Sequence, residues 1–219
     1  IYRDVRLLAT ENVHVSKWGT YVTTPVITAE EASVNMETSI NNDGTSAAIA
    51  ELETSLMTQD GKVVAKTSST VTLAPGTKKI FNQEMTVKNP TLWDIDNPYM
   101  HKALTKISIN GKVIDTYETP FGIRTFHFDP QLGFFLNSKW LRLDGVCNHD
   151  CQAAVGVAMT PRLHYEGIKF LRDAGAKFYR AAHNPRTNTE LDACDKYGII
   201  IANESRYFDN TDFAKKMTP

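Results

Sequence analysis

The chain has 219 residues, of which 24 are basic and 25 acidic, for a formal net charge of −1. Hydrophobic residues make up 42% and charged residues 22%, which is typical of a folded soluble protein and not of a disordered chain. Without a basic excess we expect no nucleic-acid partner. Because the apolar runs are far shorter than the roughly 20 residues that a membrane span requires, we expect no membrane partner either.

Three cysteines are too few for a disulfide framework, and an odd number leaves at least one free thiol. Residues 1–5, Ile-Tyr-Arg-Asp-Val, are typical of the middle of a strand, so we expect that they are not the start of a signal peptide. We therefore expect that the start was removed or that the chain is an excised piece. Such a start does not identify the compartment, and we favour a periplasmic or extracellular location in a bacterium over a cytoplasmic one.

Up to about residue 121 the hydropathy pattern has a period of two. Such alternation places one face of a strand on a core and the other face in water. Threonine and valine, which strands prefer, are abundant. The inward positions of three such stretches are Ala32, Val34, Met36, Thr38 and Ile40; Ala48, Ala50, Leu52, Thr54 and Leu56; and Phe81, Met85 and Val87.

Turn sequences separate these stretches at regular intervals. Asn110-Gly111 is the clearest, because Asn-Gly suits a type I′ turn, and it predicts a hairpin between residues 103–109 and 112–117. Several short strands spaced in this way predict an antiparallel, immunoglobulin-like β-sandwich over residues 1–121. The other turn sequences are Asn41-Asn42-Asp43-Gly44, Asp60-Gly61, Pro75-Gly76 and Asn89-Pro90.

Residues 122–219 follow a different pattern. Residues 124–128 and 134–136 predict one more hairpin, and Trp140–Val146 predicts a strand after it. Thr160 suits the N-cap of a helix that ends at Gly175, and a second helix, Thr187–Tyr197, ends at Gly198. Each helix precedes a predicted strand, Ala176–Ala182 and Ile199–Ala202. The alternation of strand and helix, with a last strand that is apolar on both faces, predicts a parallel sheet with right-handed crossovers.

Polar residues follow each predicted parallel strand, in the position where α/β folds carry their chemistry. Histidine, asparagine, arginine and glutamate without a glycine-rich phosphate loop suit a polyol better than a phosphate. Polar residues are common in loops of any soluble protein, so this observation alone leaves a purely structural role open. The three segments are Val146–Cys151, Arg180–Pro185 and Asn203–Arg206.

The segment Cys147–Cys151 holds two cysteines, a histidine and an aspartate. Their spacing is not that of a zinc site, and no second ligand pair follows at a standard interval, so we expect no metal. A cysteine nucleophile with His149 or His183 as its base stays open, although nothing marks either thiol of the segment as activated. Cys194 lies on the apolar stripe of the second helix and is interpreted as a buried core thiol.

Several of these segments resemble glycoside hydrolase family 2, which contains β-galactosidases, β-glucuronidases and β-mannosidases. The first two segments below look like the start and a late strand of the family's immunoglobulin-like domain, the third like its junction to the barrel, and the others like the barrel. They are Ile1–Val5; Leu92-Trp93 with Asn97-Pro98-Tyr99; Pro120–Arg124; Phe134–Lys139 with Leu143–His149; Arg180–Pro185; and Cys194–Ile201. The resemblance covers nearly the whole chain. It implies a multi-domain fold, an all-β immunoglobulin-like sandwich (1–121) followed by an incomplete (β/α) TIM-barrel segment (122–219).

The chain departs from the usual residues of the family at a few positions. Asparagine at 148 replaces a frequent arginine, and Lys177 stands where asparagine is usual. Asn184 stands where tyrosine is common, and Glu190 and Ala202 where bulky apolar residues are expected. The His-Asn-Pro of residues 183–185 and the Val-Cys of residues 146–147 are most similar to bacterial β-galactosidase-type members, which favours a β-galactoside.

The resemblance implies supporting roles in sugar binding for five residues. His149 and His183 match histidines that contact sugar hydroxyl groups. Arg180 matches an arginine that orients the nucleophilic carboxylate, and such a charge lowers the pKa of its partner. Glu204 matches an acidic residue at the rim of the pocket, and Asn184 belongs to the same binding segment as His183. No cofactor is implied, and the expected partner is a β-glycoside carbohydrate in the intact enzyme.

No catalytic residue is expected within this chain. Retaining glycosidases use two carboxyl groups about 5–5.5 Å apart, one as acid/base and one as nucleophile. Asn203-Glu204 looks like the family's acid/base pair, but that pair follows a tryptophan-containing fourth strand, whereas Glu204 follows the third. By the resemblance, both catalytic carboxylates lie beyond residue 219.

A complete barrel of this kind takes roughly 250 residues, so residues 122–219 suffice for about three strands. We therefore expect the chain alone to be inactive, and its bare barrel strands to self-associate or to be locally mobile. The alternative that the residues leave open is a non-catalytic carbohydrate-binding or adhesion module built on the sandwich.

Overall fold

The structure is a computed structural model that describes residue 3 and residues 5–204. Seven strands of the described chain form a two-layered antiparallel β-sandwich. One sheet has the order β1-β2-β5 and the other β4-β3-β6-β7. The strands are β1 (Val13–Thr23), β2 (Glu31–Asn42), β3 (Ala48–Met57), β4 (Val63–Leu73), β5 (Thr77–Lys88), β6 (His101–Ile109) and β7 (Lys112–Phe121). The predicted strand at residues 1–5 falls largely on residues 1, 2 and 4, which lie outside the described residues.

The predicted alternation forms the core between the two sheets. All five inward positions of β2, from Ala32 to Ile40, are fully buried. Four of the five inward positions of β3 are buried, and Met85 and Val87 of β5 pack in the same core. The Asn110-Gly111 turn joins β6 to β7, with both residues at positive φ as a type I′ turn requires. The sandwich is thus built as its hydropathy pattern predicts.

A small antiparallel sheet follows the sandwich. It consists of β8 (Phe126–Asp129), β9 (Gly133–Leu136) and β10 (Lys139–Trp140), in the order β10-β9-β8. The predicted strand Trp140–Val146 was wrong, because Trp140 ends this sheet and Val146 lies in the next one. Between them Leu141 and Leu143 pack against a junction cluster that includes Trp93, so the chain leaves one sheet before it enters the other.

Three parallel strands and two helices complete the described chain. They are β11 (Gly145–Asn148), α1 (Pro161–Asp173), β12 (Phe178–Ala181), α2 (Asn188–Tyr197) and β13 (Ile200–Asn203), with the sheet order β11-β12-β13. The predicted caps are confirmed. Thr160 accepts a hydrogen bond from Leu163 N, and Gly198 ends α2 in the left-handed conformation. Among the described residues, no helix combines the length and the apolar character needed to cross a membrane.

The sheet packs its helix-facing side against α1 and α2. Tyr179 in β12 is fully buried with Ile168 of α1 and with Ala193 and Cys194 of α2. Since neighbours in a parallel sheet share a face, Cys147, Arg180 and Ala202, which are paired across the three strands, point to the opposite side. That side carries the polar residues singled out in the sequence.

Trp93 joins the sandwich to the α/β part. Its indole is 1% exposed, and its Nε1–H donates to the carbonyl of Asp195 in α2 at 2.8 Å. The guanidinium of Arg124 lies 4.5 Å from the ring centroid, and Gly122 packs so closely that a Cβ there would lie 2.8 Å from Trp93 Cβ. Leu92-Trp93 was expected in a strand, but Trp93 makes only an isolated bridge with Pro98. The segment leaves the sandwich because Trp93 packs against Arg124 and donates to Asp195 of the α/β part.

Gly198 provides the first test of the junction. Its φ is +73°, and a Cβ there would lie 2.1 Å from the carbonyl oxygen of Ile95. Gly76 has a similar φ of +63°, but a Cβ there would meet no atom within 4 Å, which makes it a matched control. We expect Gly76→Ala to lower the free energy of unfolding by about 1–2 kcal/mol, the cost of the left-handed conformation, and Gly198→Ala to lower it by roughly twice that or more. Chemical denaturation of the two variants measures the difference, and equal losses would contradict this close packing.

Candidate active site

Polar side chains from three successive strand ends meet on one side of the parallel sheet. His149 directly follows β11, His183 lies two residues beyond β12, and Glu204 directly follows β13. Arg180 lies within β12 and points to the same side. We call these four residues the strand-end cluster. The sequence predicted all four, and the parallel register explains why they come together.

Glu204 is the centre of the cluster. Its Oε1 lies 2.5 Å from Arg180 Nε, and its Oε2 lies 3.0 Å from His183 Nδ1. The side chain of Glu204 is 13% exposed, whereas those of Arg180 and His183 are 46% and 48% exposed. Both carboxylate oxygens therefore have partners, while the side chains of the arginine and the histidine are each about half exposed.

The remaining members surround this ion pair. The rings of His149 and His183 meet edge to face, with centroids 5.5 Å apart. Arg180 Nη1 lies 3.5 Å from the sulfur of Cys147. Asn184 is half-buried and follows His183 in the chain, but it takes no part in these contacts. The geometry thus connects four of the five predicted residues and leaves Asn184 at their margin.

The charge of Glu204 is fixed by these partners. Desolvation alone would raise the pKa of its carboxyl group, but the hydrogen bond from His183 and the positive charge of Arg180 outweigh that effect and hold the pKa below its usual range. Glu204 is therefore an ionised acceptor at neutral pH. A general acid needs the opposite, a raised pKa, so this environment does not suit Glu204 for that role.

The first and third parallel strands extend further than predicted. Cys147 was expected after the first strand and Asn203 after the third, yet they lie within β11 and β13, whereas Arg180 lies within β12 and inside the predicted strand Ala176–Ala182. The parallel ladder pairs Cys147 with Arg180 and then Ala202, so polar side chains on the face away from the helices do not end the strands.

The three cysteines differ in their surroundings. Cys147 and Cys151 are exposed, and Cys194 is 1% exposed. Burial, with the nearby negative charges of Glu190 and Asp195, strongly raises the pKa of the Cys194 thiol. The interpretation of Cys194 as a buried core thiol is confirmed. For the alternative of a cysteine nucleophile, the supporting observation is the contact between Cys147 and Arg180.

A buried charge network lies behind the cluster, and sequence reasoning missed it. Arg186 is completely buried, with Nε 3.6 Å from Glu190 Oε1 and Nη1 3.7 Å from Asp150 Oδ1. Tyr179 donates to Glu190 Oε1 at 2.7 Å, and His164 Nδ1 lies 3.3 Å from Glu190 Oε2. We call these five residues, Asp150, His164, Tyr179, Arg186 and Glu190, the buried charge network.

One sign of this network was visible in the sequence. Glu190 departs from the apolar residue expected there, and Arg186 stands four residues before it, the spacing of an ion pair along a helix. Burial raises the pKa of Glu190, but contacts with His164 and Tyr179 and the charge of Arg186 outweigh burial, so the pKa is lowered and Glu190 stays ionised. The other partners come from distant elements, which no local pattern could reveal.

Part of the network has the composition of a metal site. The donor atoms of Asp150, His164 and Glu190 lie within 4.8 Å of one another. The guanidinium of Arg186 lies against both carboxylates and supplies the positive charge that a buried anionic pair needs. A divalent cation at this place would be repelled by Arg186, so the geometry does not favour one. That the chain binds no metal stays a prediction.

Comparison with known proteins gives matches over both parts of the chain. The sequence model of "Glycosyl hydrolases family 2" matches residues 13–124. The model of "Glycosyl hydrolases family 2, TIM barrel domain" matches residues 131–215.

Curated relatives come from bacteria. The chain is 38% identical over 205 residues to "Beta-galactosidase BoGH2A" of Bacteroides ovatus, which covers 94% of this chain and 24% of the relative. It is 36% identical over 209 residues to a "Beta-glucuronidase" of Bacteroides fragilis, which covers 91% of this chain and 29% of the relative. The chain thus spans about a quarter of the length of these proteins.

Solved structures share the fold. The crystal structure of a glycosyl hydrolase family 2 member from Bacteroides cellulosilyticus superposes with a TM-score of 0.87 at 34% sequence identity. The match covers 90% of this chain and 27% of that one. Sandwich and parallel strands therefore occur together in that protein as they do here, in agreement with the sandwich and TIM-barrel segment expected from the sequence.

The ionic bonds of Glu204 can be tested by titration. We expect Arg180→Gln to move the pKa of Glu204 upward, because the variant removes the positive charge at Oε1. A carboxyl group with a lowered folded-state pKa stabilises the fold above its ordinary pKa and loses this contribution as the pH falls through the lowered value. The variant should therefore lose more stability at pH 7 than in acid. Carbon-13 NMR of the Glu204 carboxyl group measures the pKa.

The control for this titration is Arg142→Gln, which removes an exposed arginine paired with Asp144 and should leave the pKa of Glu204 unchanged. An unchanged Glu204 pKa in Arg180→Gln would show that the ion pair does not form in solution.

Proposed function

The chain belongs to glycosyl hydrolase family 2, and from this premise we propose that it forms the sandwich and the first barrel strands of a larger retaining β-glycosidase. The strand-end cluster is the observation that carries the proposal. His149, Arg180, His183 and Glu204 meet at the carboxyl ends of parallel strands, where barrel enzymes place their active sites.

In this proposal the cluster binds the sugar and orients catalytic groups without reacting itself. His149 and His183 present imidazole nitrogens to sugar hydroxyl groups, and the exposed part of Arg180 faces a carboxylate. Glu204 holds Arg180 and His183 in place through both of its oxygens. Because neither oxygen is free to attack and the lowered pKa opposes acid catalysis, the two reacting carboxylates come from other residues of the complete protein.

The sugar is proposed to be a β-galactoside. Support comes from the resemblance of residues 146–147 and 183–185 to β-galactosidase-type members, and from the 38% identity with a relative named a β-galactosidase. The relative named a β-glucuronidase is nearly as similar, at 36% identity. A β-glucuronide is therefore the alternative that the assay must include.

Activity should appear only in the complete protein. We expect the purified 219-residue chain to leave chromogenic β-galactoside, β-glucuronide and β-mannoside unchanged, because its strand-end cluster lacks a free carboxylate pair. The complete product of the gene should cleave one of them. Turnover by the short chain that disappears in Glu204→Gln would contradict the role given to Glu204. A complete product inert on all three sugars would favour a non-catalytic module.

Single variants of the complete protein test the cluster. Arg180→Ala and His183→Ala should each lower kcat/KM by about 100-fold or more, the scale of losing a charge-assisted contact in the transition state. The control is Arg162→Ala, which removes an exposed arginine of α1 that is paired with Glu166. Wild-type kinetics in the Arg180→Ala and His183→Ala variants would show that Arg180 and His183 have a structural role only.

The short chain should also self-associate. In the described residues, β11 and β13 are the outer strands of the parallel sheet, and such edges pair readily with other chains. We expect light scattering after size exclusion to show oligomers, or hydrogen exchange to be faster in residues 176–202 than in residues 32–56. A strictly monomeric chain with equal protection of both segments would show that the α/β part closes its own core.

A further inference from the structure

We propose that Arg186 is a positioning residue that sets the geometry of the strand-end cluster. The inference rests on the proposed function, since the cluster matters only if it binds the sugar. It goes further, because it assigns a role to a buried residue that touches no substrate.

The contacts of Arg186 reach the ends of all three parallel strands that the structure describes. Its Nη2 donates to the carbonyl of Asn148, and also to that of Ala182 at 3.3 Å. Its backbone N–H donates to Asn203 Oδ1 at 2.9 Å. Arg186 thus connects three parts of the chain: β11, β13 and the segment that follows β12.

Each of these contacts falls one residue before a member of the cluster. Asn148 precedes His149, Ala182 precedes His183, and Asn203 precedes Glu204. A displaced carbonyl or side chain at any of the three positions would move the backbone from which the next side chain projects. Arg186 therefore fixes the relative placement of His149, His183 and Glu204 from behind.

The buried charge network holds Arg186 in this position. Glu190 and Asp150 lie against its Nε and Nη1, and the ring of Tyr179 lies 5.5 Å from its guanidinium carbon. Tyr179 in turn fixes Glu190 through a 2.7 Å hydrogen bond. A planar guanidinium offers five donors in a rigid fork, which a lysine ammonium cannot reproduce. This explains an arginine at a point where two carbonyl groups and two carboxylates converge.

A double variant separates positioning from stability. Arg186→Met with Glu190→Gln removes the two opposite charges together, and the glutamine still accepts from Tyr179. In the 219-residue chain we expect the pKa of Glu204 to rise toward that of an ordinary glutamate, because Arg180 and His183, its partners in the described chain, lose their fixed places. Arg186→Lys should give a smaller rise. An unchanged pKa in a folded double variant would overturn the proposal.

The matched control is Arg172→Met. Arg172 is an arginine with a side chain that is 23% exposed, and it links α1 to the segment between β5 and β6 through the carbonyl of Ile95 at 3.0 Å and the carboxylate of Asp96. We expect the Arg172→Met variant to have a lower melting temperature and an unchanged Glu204 pKa. If the double variant does not fold, the Asn203→Ala variant tests the proposal instead, because it removes the side-chain acceptor of the Arg186 backbone N–H. We expect the Glu204 pKa to rise in this variant too. An unchanged Glu204 pKa in that folded variant would then overturn the proposal.

Kinetics of the complete protein provide an independent measurement. A misplacement of about 1 Å can cost on the order of 100-fold in rate, so the double variant should lose roughly 10- to 100-fold in kcat/KM while Arg172→Met keeps its activity. Wild-type kinetics in the double variant would overturn the proposal. If the unmodified complete protein cleaves no β-glycoside, the proposed function fails, and the Glu204 titration still decides the role of Arg186.

Discussion

Trp93 makes the contact on which the rest of the molecule depends. Its indole fills the junction between the sandwich and the α/β part, and its N–H holds the carbonyl of Asp195 near the end of α2. At the other end of α2 the N-cap is Thr187, which directly follows Arg186. The sandwich thus contacts the far end of the helix that directly follows Arg186, the residue proposed to position the strand-end cluster, although none of the sandwich strands contributes a residue to that cluster.

Two kinds of electrostatic environment lie on either side of the parallel sheet. On the side away from the helices, Glu204 is paired with an arginine and a histidine whose side chains are about half exposed. On the helix side, Glu190 is paired with Arg186 away from water, so breaking that pair would leave an uncompensated buried charge. The exposed pair can exchange its hydrogen bonds with solvent, whereas the buried pair cannot.

Local features of this fold could be predicted from the sequence, and long-range ones could not. Thr160, Gly198 and Asn110-Gly111 act through hydrogen bonds and φ angles within a few residues, so their caps and turn were predicted. The strand at Trp140–Val146 was predicted wrongly because Leu141 and Leu143 pack against the junction cluster, whose Trp93 is far away in the sequence. The cluster was predicted because strand ends meet at one edge of a parallel sheet, whereas the contacts of Arg186 come from four separate elements.

The junction also bears on how such proteins can exchange parts in evolution. The chain passes once from the sandwich to the small sheet, near residue 122, but residues 92–98 reach back to the same interface from between β5 and β6. A recombination event that cut the gene near residue 122 would separate Trp93 from Gly122 and Arg124, which are shaped around it. Residues 92–98 and the segment that contains Gly122 and Arg124 must therefore be inherited together for this interface to form.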